Sequence, residues 1–168
     1  PSFEDKIPEL VEYAEERNVK LILWVNYMNI DTPEKVEASF KQWHEWGIAG
    51  VKTDYFESDE IKVLESMRDC AAIGAKYELL MYYHGCICPN GETRTYPNIM
   101  TTEAVMGEEF RKWGESPANY VCLMYPFTRN VVGSMDYTPS TVRIAKTGET
   151  GGFALAKKIC SPGAAIAE

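Results

Sequence analysis

Three short strand-like runs, separated by longer amphipathic stretches, constrain the fold of this chain more than any other feature of its sequence. The runs, typical of strands in length and composition, lie at residues 19–26, 50–55 and 78–84. The stretches with apolar residues at helical spacing lie at residues 4–17, 32–47 and 58–71. Helices and strands that alternate with short connections predict parallel strands joined by right-handed crossovers. The predicted fold class is therefore α/β, either a barrel or an open doubly wound sheet.

The pattern becomes less regular after residue 85. Residues 86–97 read as a polar loop, 98–101 and 120–125 as further strands, and 106–113 and 152–159 as helices. No glycine-rich phosphate loop follows any strand, which disfavours a nucleotide-binding open sheet. The total of about five parallel strands is too few for a closed (β/α)₈ barrel, which needs eight strands and typically ~250 residues.

Composition narrows the classes of partner. The chain of 168 residues is 45% apolar and carries 25 acidic against 17 basic residues, a net charge of −8. The length and apolar content predict one globular domain over residues 1–168 with a proper core. The negative charge disfavours a nucleic-acid or anionic-membrane partner. No apolar run reaches membrane-spanning length. Five cysteines do not suggest a disulfide framework, and the pair Cys86 and Cys88 near His84 is only a weak zinc signal.

Polar side chains follow the predicted strands at the end where a barrel would carry its functional site. They are Asn26, Lys52, Asp54, His84, Glu103 and Glu109. Lys52 and Asp54 share one strand face because strand side chains alternate with period 2. Two carboxylates that face one cleft are the minimum equipment for hydrolysis of a glycosidic bond. Plainer interpretations stay open: Asp54 as an ion-pair partner of Lys52, and His84 as a structural histidine.

Seven blocks of the sequence carry a family resemblance. In order they are LWVN (23–26), GVKTD (50–54), HG with PNG (84–91), RTYPN (94–98), TEAVMGEE (102–109), PFTR (126–129) and MDYTP (135–139). Their order and spacing resemble the catalytic domain of family 97 glycoside hydrolases, over roughly residues 7–159. This family consists of calcium-dependent α-glycosidases built on a (β/α)₈ barrel, with inverting and retaining members.

The resemblance implies particular roles for particular residues. Asp54 matches the nucleophile of the retaining branch, and Glu109 matches its general acid/base. Inverting members carry a glutamate directly after the histidine of the fifth barrel strand, where this chain has Gly85. The resemblance therefore implies a retaining, α-galactosidase-like hydrolase acting on an α-glycoside or oligosaccharide. Asn26, Lys52 and His84 are expected to contact the substrate.

The same matching makes Glu103, with Glu109 close by, an expected Ca²⁺ ligand in an incomplete site. It also places the first two barrel strands and the last one outside residues 1–168, so that the chain forms a partial barrel. We therefore expect it to need the remaining strands or a second copy for activity. The alternative is a non-catalytic remnant that binds carbohydrate or a protein partner. The resemblance suggests a bacterial periplasmic or secreted protein, but the sequence itself does not identify the compartment.

Overall fold

The computed structural model describes residues 4–107, 109–110 and 119–138. The chain divides into two compact units at Ala104 and Val105. The helix predicted at 152–159 lies outside the described residues, as do residues 108 and 111–113 of the helix predicted at 106–113. In the described part of the chain, no helix is both long enough and apolar enough to span a bilayer.

The first unit alternates helices and parallel strands, as predicted. Its strands are β1 (Ile22–Asn26), β2 (Gly50–Asp54), β3 (Leu80–Tyr83) and β4 (Ile99–Thr102). Its α-helices are α1 (Ile7–Glu15), α2 (Pro33–Glu45), α3 (Ile61–Lys76) and α4 (Glu92–Thr95), and short 3₁₀ turns span Glu4–Lys6 and Tyr27–Ile30. The sheet order is β1-β2-β3-β4, with every neighbouring pair parallel.

This strand order confirms the α/β prediction and is consistent with part of a barrel. In a (β/α)₈ barrel, consecutive strands are neighbours and the order never reverses. A doubly wound sheet reverses its order at a switch point, and the four strands described contain no such reversal. The unit therefore has the arrangement of successive barrel units.

Local signals in the sequence set where the helices begin and end. The Thr32 hydroxyl accepts a hydrogen bond from the Lys35 N–H, and Pro33 occupies the first turn of α2. Asn18, at φ 55°, ends the first helical segment, and the Val19 N–H returns to the Ala14 carbonyl. Because Val19 helps to close this helix end, β1 begins later than the apolar run from residue 19 suggested.

The core of this unit lies between the helices and one face of the sheet. Val51 and Met81 on that face are completely buried, and Phe40 of α2 is equally buried. Tyr83 extends outward from β3 and donates its hydroxyl hydrogen to the Met67 carbonyl of α3 at 2.8 Å. These buried strand side chains point toward the helices. The strand residues that alternate with them therefore point to the opposite face of the sheet.

The strand predicted at residues 120–125 is wrong. Asn119–Met124 forms a helix, α5, and 3₁₀ turns follow at Tyr125–Phe127 and Arg129–Val132. Tyr120 and Leu123 are exposed, whereas Val121 and Tyr125 are partly buried, which is a helical spacing. A run of six apolar residues cannot distinguish a short helix from a strand by hydrophobicity alone. The described residues therefore contain four strands rather than about five.

Three cysteines whose side chains the structure describes are thiols with different surroundings: Cys70 is buried, Cys86 is half-buried and Cys88 is exposed. Burial raises the pKa of the Cys70 thiol to about 12, with a smaller contribution from the charge of Asp69. Because the thiolate is the nucleophile, we expect iodoacetamide at pH 8 to label Cys88 first and Cys70 last.

Peptide mass spectrometry after a short alkylation pulse measures this order. In guanidinium chloride, Cys70 should label as fast as Cys88, because unfolding removes the burial that raises its pKa. Equal labelling of Cys70 and Cys88 in the folded protein would contradict the packing of α3 against the sheet.

Candidate active site

One face of the sheet carries the polar side chains that the sequence singled out. In β2, Val51 and Thr53 are buried toward the helices, whereas Lys52 and Asp54 alternate with them and are half-buried on the opposite face. The predicted sharing of a strand face by Lys52 and Asp54 follows directly from this alternation. We call this opposite side of the sheet the inner face.

Strand register arranges the inner face in two rows. Trp24 pairs with Lys52, and Lys52 pairs with Tyr82 on the next strand. One step further along the strands, Asn26 pairs with Asp54. The His84 N–H donates to the Thr53 carbonyl at 3.0 Å and so extends the ladder beyond β3, which makes His84 the neighbour of Asp54 in the second row.

Both oxygens of the Asp54 carboxylate accept hydrogen bonds. The indole N–H of Trp24 donates to Oδ2 at 3.0 Å, and the backbone N–H of Tyr55 donates to Oδ1 at 2.8 Å. The ion pairs among the described residues do not include one between Lys52 and Asp54. The arrangement gives no support to the interpretation that Asp54 is simply an ion-pair partner of Lys52.

Glu103 holds the turn that follows β3. Its carboxylate is almost fully buried, and Oε2 accepts a hydrogen bond from the Gly85 N–H at 2.9 Å. The same oxygen lies 3.5 Å from Nδ1 of His84, which is also buried. The Glu103 N–H donates to the Tyr83 carbonyl at 2.8 Å. Glu103 therefore connects the end of β4 to the end of β3 beside Asp54.

Gly85 fits this turn because it has no side chain. Its φ of +51° lies in the left-handed region that favours glycine. A Cβ at this position would lie 3.1 Å from the Cα and N of Tyr55 and 3.5 Å from Oδ1 of Asp54. Residue 85 thus packs against the same backbone N–H that holds the Asp54 carboxylate.

The predicted calcium ligands lie in different units, because Glu103 belongs to the first and Glu109 to the second. Ca²⁺ takes six to eight oxygen ligands. Among the residues that the structure describes, no group of three or more His, Cys, Asp or Glu side chains is arranged to hold a metal ion. Glu103 by itself does not make a calcium site, and calcium binding stays a prediction from the resemblance. The same finding gives no support to a zinc site at Cys86 and Cys88.

The second unit contains Glu109, which is half-buried in a short 3₁₀ turn after Gly107. The hydroxyl of Tyr125 donates to the Met106 carbonyl at 3.2 Å, which connects the segment before Glu109 to the 3₁₀ turn that follows α5. The predicted pairing of Asp54 with Glu109 across one cleft stays a prediction.

Sequence reasoning missed two contacts of Asp54. Trp24 was part of a resembling block but had no assigned role, and the closeness of Gly85 to Asp54 was not foreseen. The sequence does contain a signal for the contact of Trp24. Because Trp24 and Asn26 are two residues apart, they share a strand face. The second contact depends on a left-handed turn outside the strands, which period-2 reasoning does not reach.

Comparison with known proteins identifies the family to which the chain belongs. The glycoside hydrolase 97 family model matches residues 1–105. A probable retaining alpha-galactosidase of Streptomyces bingchenggensis is 41% identical over 133 residues, covering 79% of this chain and 20% of that protein. A retaining alpha-galactosidase of Bacteroides thetaiotaomicron is 36% identical over 144 residues, covering 84% of this chain and 22% of that protein. The chain spans about a fifth of the length of these relatives.

Solved structures share the fold. A beta-arabinopyranosidase superposes with a TM-score of 0.73 at 25% identity, covering 89% of this chain and 26% of that one. A family 97 enzyme of Pseudoalteromonas sp. strain K8, solved with acarbose, gives a TM-score of 0.69 at 24% identity, covering 83% of this chain and 24% of that one. The family model covers well over half of the 168 residues. The chain therefore belongs to glycoside hydrolase family 97.

Proposed function

We propose that the protein hydrolyses α-galactosides with retention of anomeric configuration, using Asp54 as nucleophile. The observation that carries this proposal is the placement of Asp54. Its carboxylate lies on the inner face at the carboxyl end of β2, with each oxygen held by one N–H donor. Two relatives named retaining alpha-galactosidases support the choice of substrate and stereochemistry.

The reaction proceeds in two displacements. In the first, an oxygen of Asp54 forms a bond to the anomeric carbon while the glycosidic C–O bond breaks, and Glu109 gives its proton to the departing oxygen. In the second, water attacks the same carbon, its proton passes to Glu109, and Asp54 leaves as a carboxylate. Two inversions at one carbon give net retention. No step is assigned to calcium.

Gly85 supports the retaining mechanism over the inverting one. An inverting enzyme needs a carboxylate that activates water, and the resemblance places that group directly after the histidine. Here a side chain at position 85 would crowd the Tyr55 backbone and approach Oδ1 of Asp54. Position 85 therefore favours Asp54 acting alone on this side.

Lys52 and Asn26 are placed to bind the hydroxyl groups of the sugar. Asn26 Oδ1 accepts a hydrogen bond from the Met28 N–H, and in the described structure its amide N–H groups have no protein partner. Those N–H groups are donors for a substrate hydroxyl. Lys52, which is half-buried, lies in the neighbouring row of the inner face and carries an ammonium group. His84 completes the predicted set of substrate contacts beside Asp54.

Proton NMR of the first product distinguishes the mechanisms. With an aryl α-galactoside as substrate, the α-anomer of galactose should form first and then mutarotate, because two displacements preserve configuration. The β-anomer as first product would overturn the retaining mechanism. If the protein, assayed together with the remaining barrel strands, shows no turnover but binds galactose in calorimetry, the non-catalytic carbohydrate-binding alternative replaces the proposal.

A further inference from the structure

The indole ring of Trp24 stands beside Asp54 without being part of the core. Its side chain is 55% exposed, although tryptophan is normally among the most extensively buried residues. The ring meets Tyr55 edge to face, with centroids 6.1 Å apart and planes at 88°. Packing therefore accounts for little of its position, and the directed contact is the 3.0 Å hydrogen bond from Nε1 to Asp54 Oδ2.

Trp24 on β1 contacts Asp54 on the neighbouring strand β2 along a diagonal. In the register of β1 and β2 its direct partner is Lys52, and Asp54 lies two residues further along the same face. A diagonal neighbour on a sheet is within reach of an aromatic side chain but not of a short polar one. The long indole side chain therefore brings an N–H donor to Oδ2. The backbone N–H of Tyr55 donates to Oδ1.

Two fixed donors orient the Asp54 carboxylate without occupying all of its acceptor positions. A carboxylate oxygen has about two acceptor positions, and each Asp54 oxygen accepts one protein hydrogen bond. Each oxygen thus keeps a lone pair for the anomeric carbon. We propose that Trp24 is a positioning residue that fixes the Asp54 carboxylate for attack, a role that rests on the proposed function.

The two chemical steps should depend on Trp24 to different degrees. Forming the bond between Asp54 and the anomeric carbon removes negative charge from the carboxylate, and breaking that bond returns it. An N–H donor directed at the carboxylate stabilises the charged form. Loss of the donor therefore opposes the return of charge, so the second displacement should slow more than the first.

A spectroscopic test needs no turnover. In a ¹H–¹⁵N spectrum of the indole groups, the Trp24 resonance is assigned by its absence from Trp24→Phe. Removal of the acceptor in Asp54→Ala should shift this resonance, whereas Asp59→Asn, a change at an exposed acid outside the site, should not. An unmoved Trp24 resonance in Asp54→Ala would overturn the proposal. Because no substrate is present, this result is separate from success or failure of the proposed function.

Kinetics then tests the role in the reaction. Trp24→Phe keeps an aromatic ring and removes the N–H, and it should lower kcat about tenfold or more without raising KM. The control Trp46→Phe makes the same chemical change at the end of α2 and should leave both constants near those of the parent. A raised KM with unchanged kcat would overturn the positioning role and make Trp24 a sugar-binding platform instead. Absence of turnover in the parent, assayed together with the remaining barrel strands, would reject the proposed function, and the indole resonance would still decide whether Trp24 holds Asp54.

Discussion

Asp54→Ala should lower the hydrolysis of an aryl α-galactoside by about 10⁴-fold or more while the protein stays folded. Loss of a catalytic nucleophile costs this much because the remaining groups cannot form the covalent intermediate. The cost to folding should be small, since Asp54 is half-buried and its described hydrogen bonds are those with Trp24 and Tyr55. Initial rates together with a thermal melt of parent and variant measure both expectations.

Added azide separates a missing nucleophile from a damaged site. In Asp54→Ala the anion can enter the space left by the carboxylate and attack the anomeric carbon from the same side. Turnover should then recover in part, with β-galactosyl azide as the product. Asp59→Ala, a change at an exposed acid, is the matched control and should keep parental rates without azide. Full activity in Asp54→Ala would remove Asp54 from the reaction.

Helices and strands were predictable where the spacing of apolar residues agreed with the turn-forming residues on either side of a segment. Residues 50–55 lie between Gly47 and the pair Ser58 and Asp59, which are turn-forming residue types, and the strand there matches the prediction almost residue for residue. Residues 120–125 are all apolar, but Pro126 follows at once and no sheet neighbour is available within the described part of their unit. Composition does not show whether a neighbouring strand is available for pairing. For this reason the sequence predicts a strand where the structure has a helix.

The inner face was predictable for a different reason. Side chains two residues apart share a strand face, and parallel strands end at one edge of the sheet. These two rules bring Asn26, Lys52 and Asp54 together without any knowledge of contacts. They do not give the diagonal from Trp24 to Asp54, which depends on the register between strands. They also do not give the backbone angle of Gly85.

Gly85→Ala should destabilise the protein by about 2–5 kcal/mol, more than the same change at a glycine with equal backbone freedom. A left-handed φ costs a residue with a Cβ roughly 1–2 kcal/mol, and crowding adds roughly 1–3 kcal/mol. At Gly85 the new Cβ would lie 3.1 Å from two backbone atoms of Tyr55, which cannot rotate away as a side chain could. Displacing Tyr55 also moves the N–H that holds Asp54 Oδ1, so catalytic activity should fall with stability.

Gly91→Ala is the matched control for this change. Gly91 also has a left-handed φ, +98°, but a Cβ there meets nothing within 4 Å. It should therefore show only the backbone cost of about 1–2 kcal/mol and keep parental activity. Urea denaturation of both variants gives the two free energies of unfolding, and the difference between them isolates the contact with Tyr55. If Gly85→Ala and Gly91→Ala lose equal stability and both keep full activity, the turn after β3 does not press on the residue that holds Asp54.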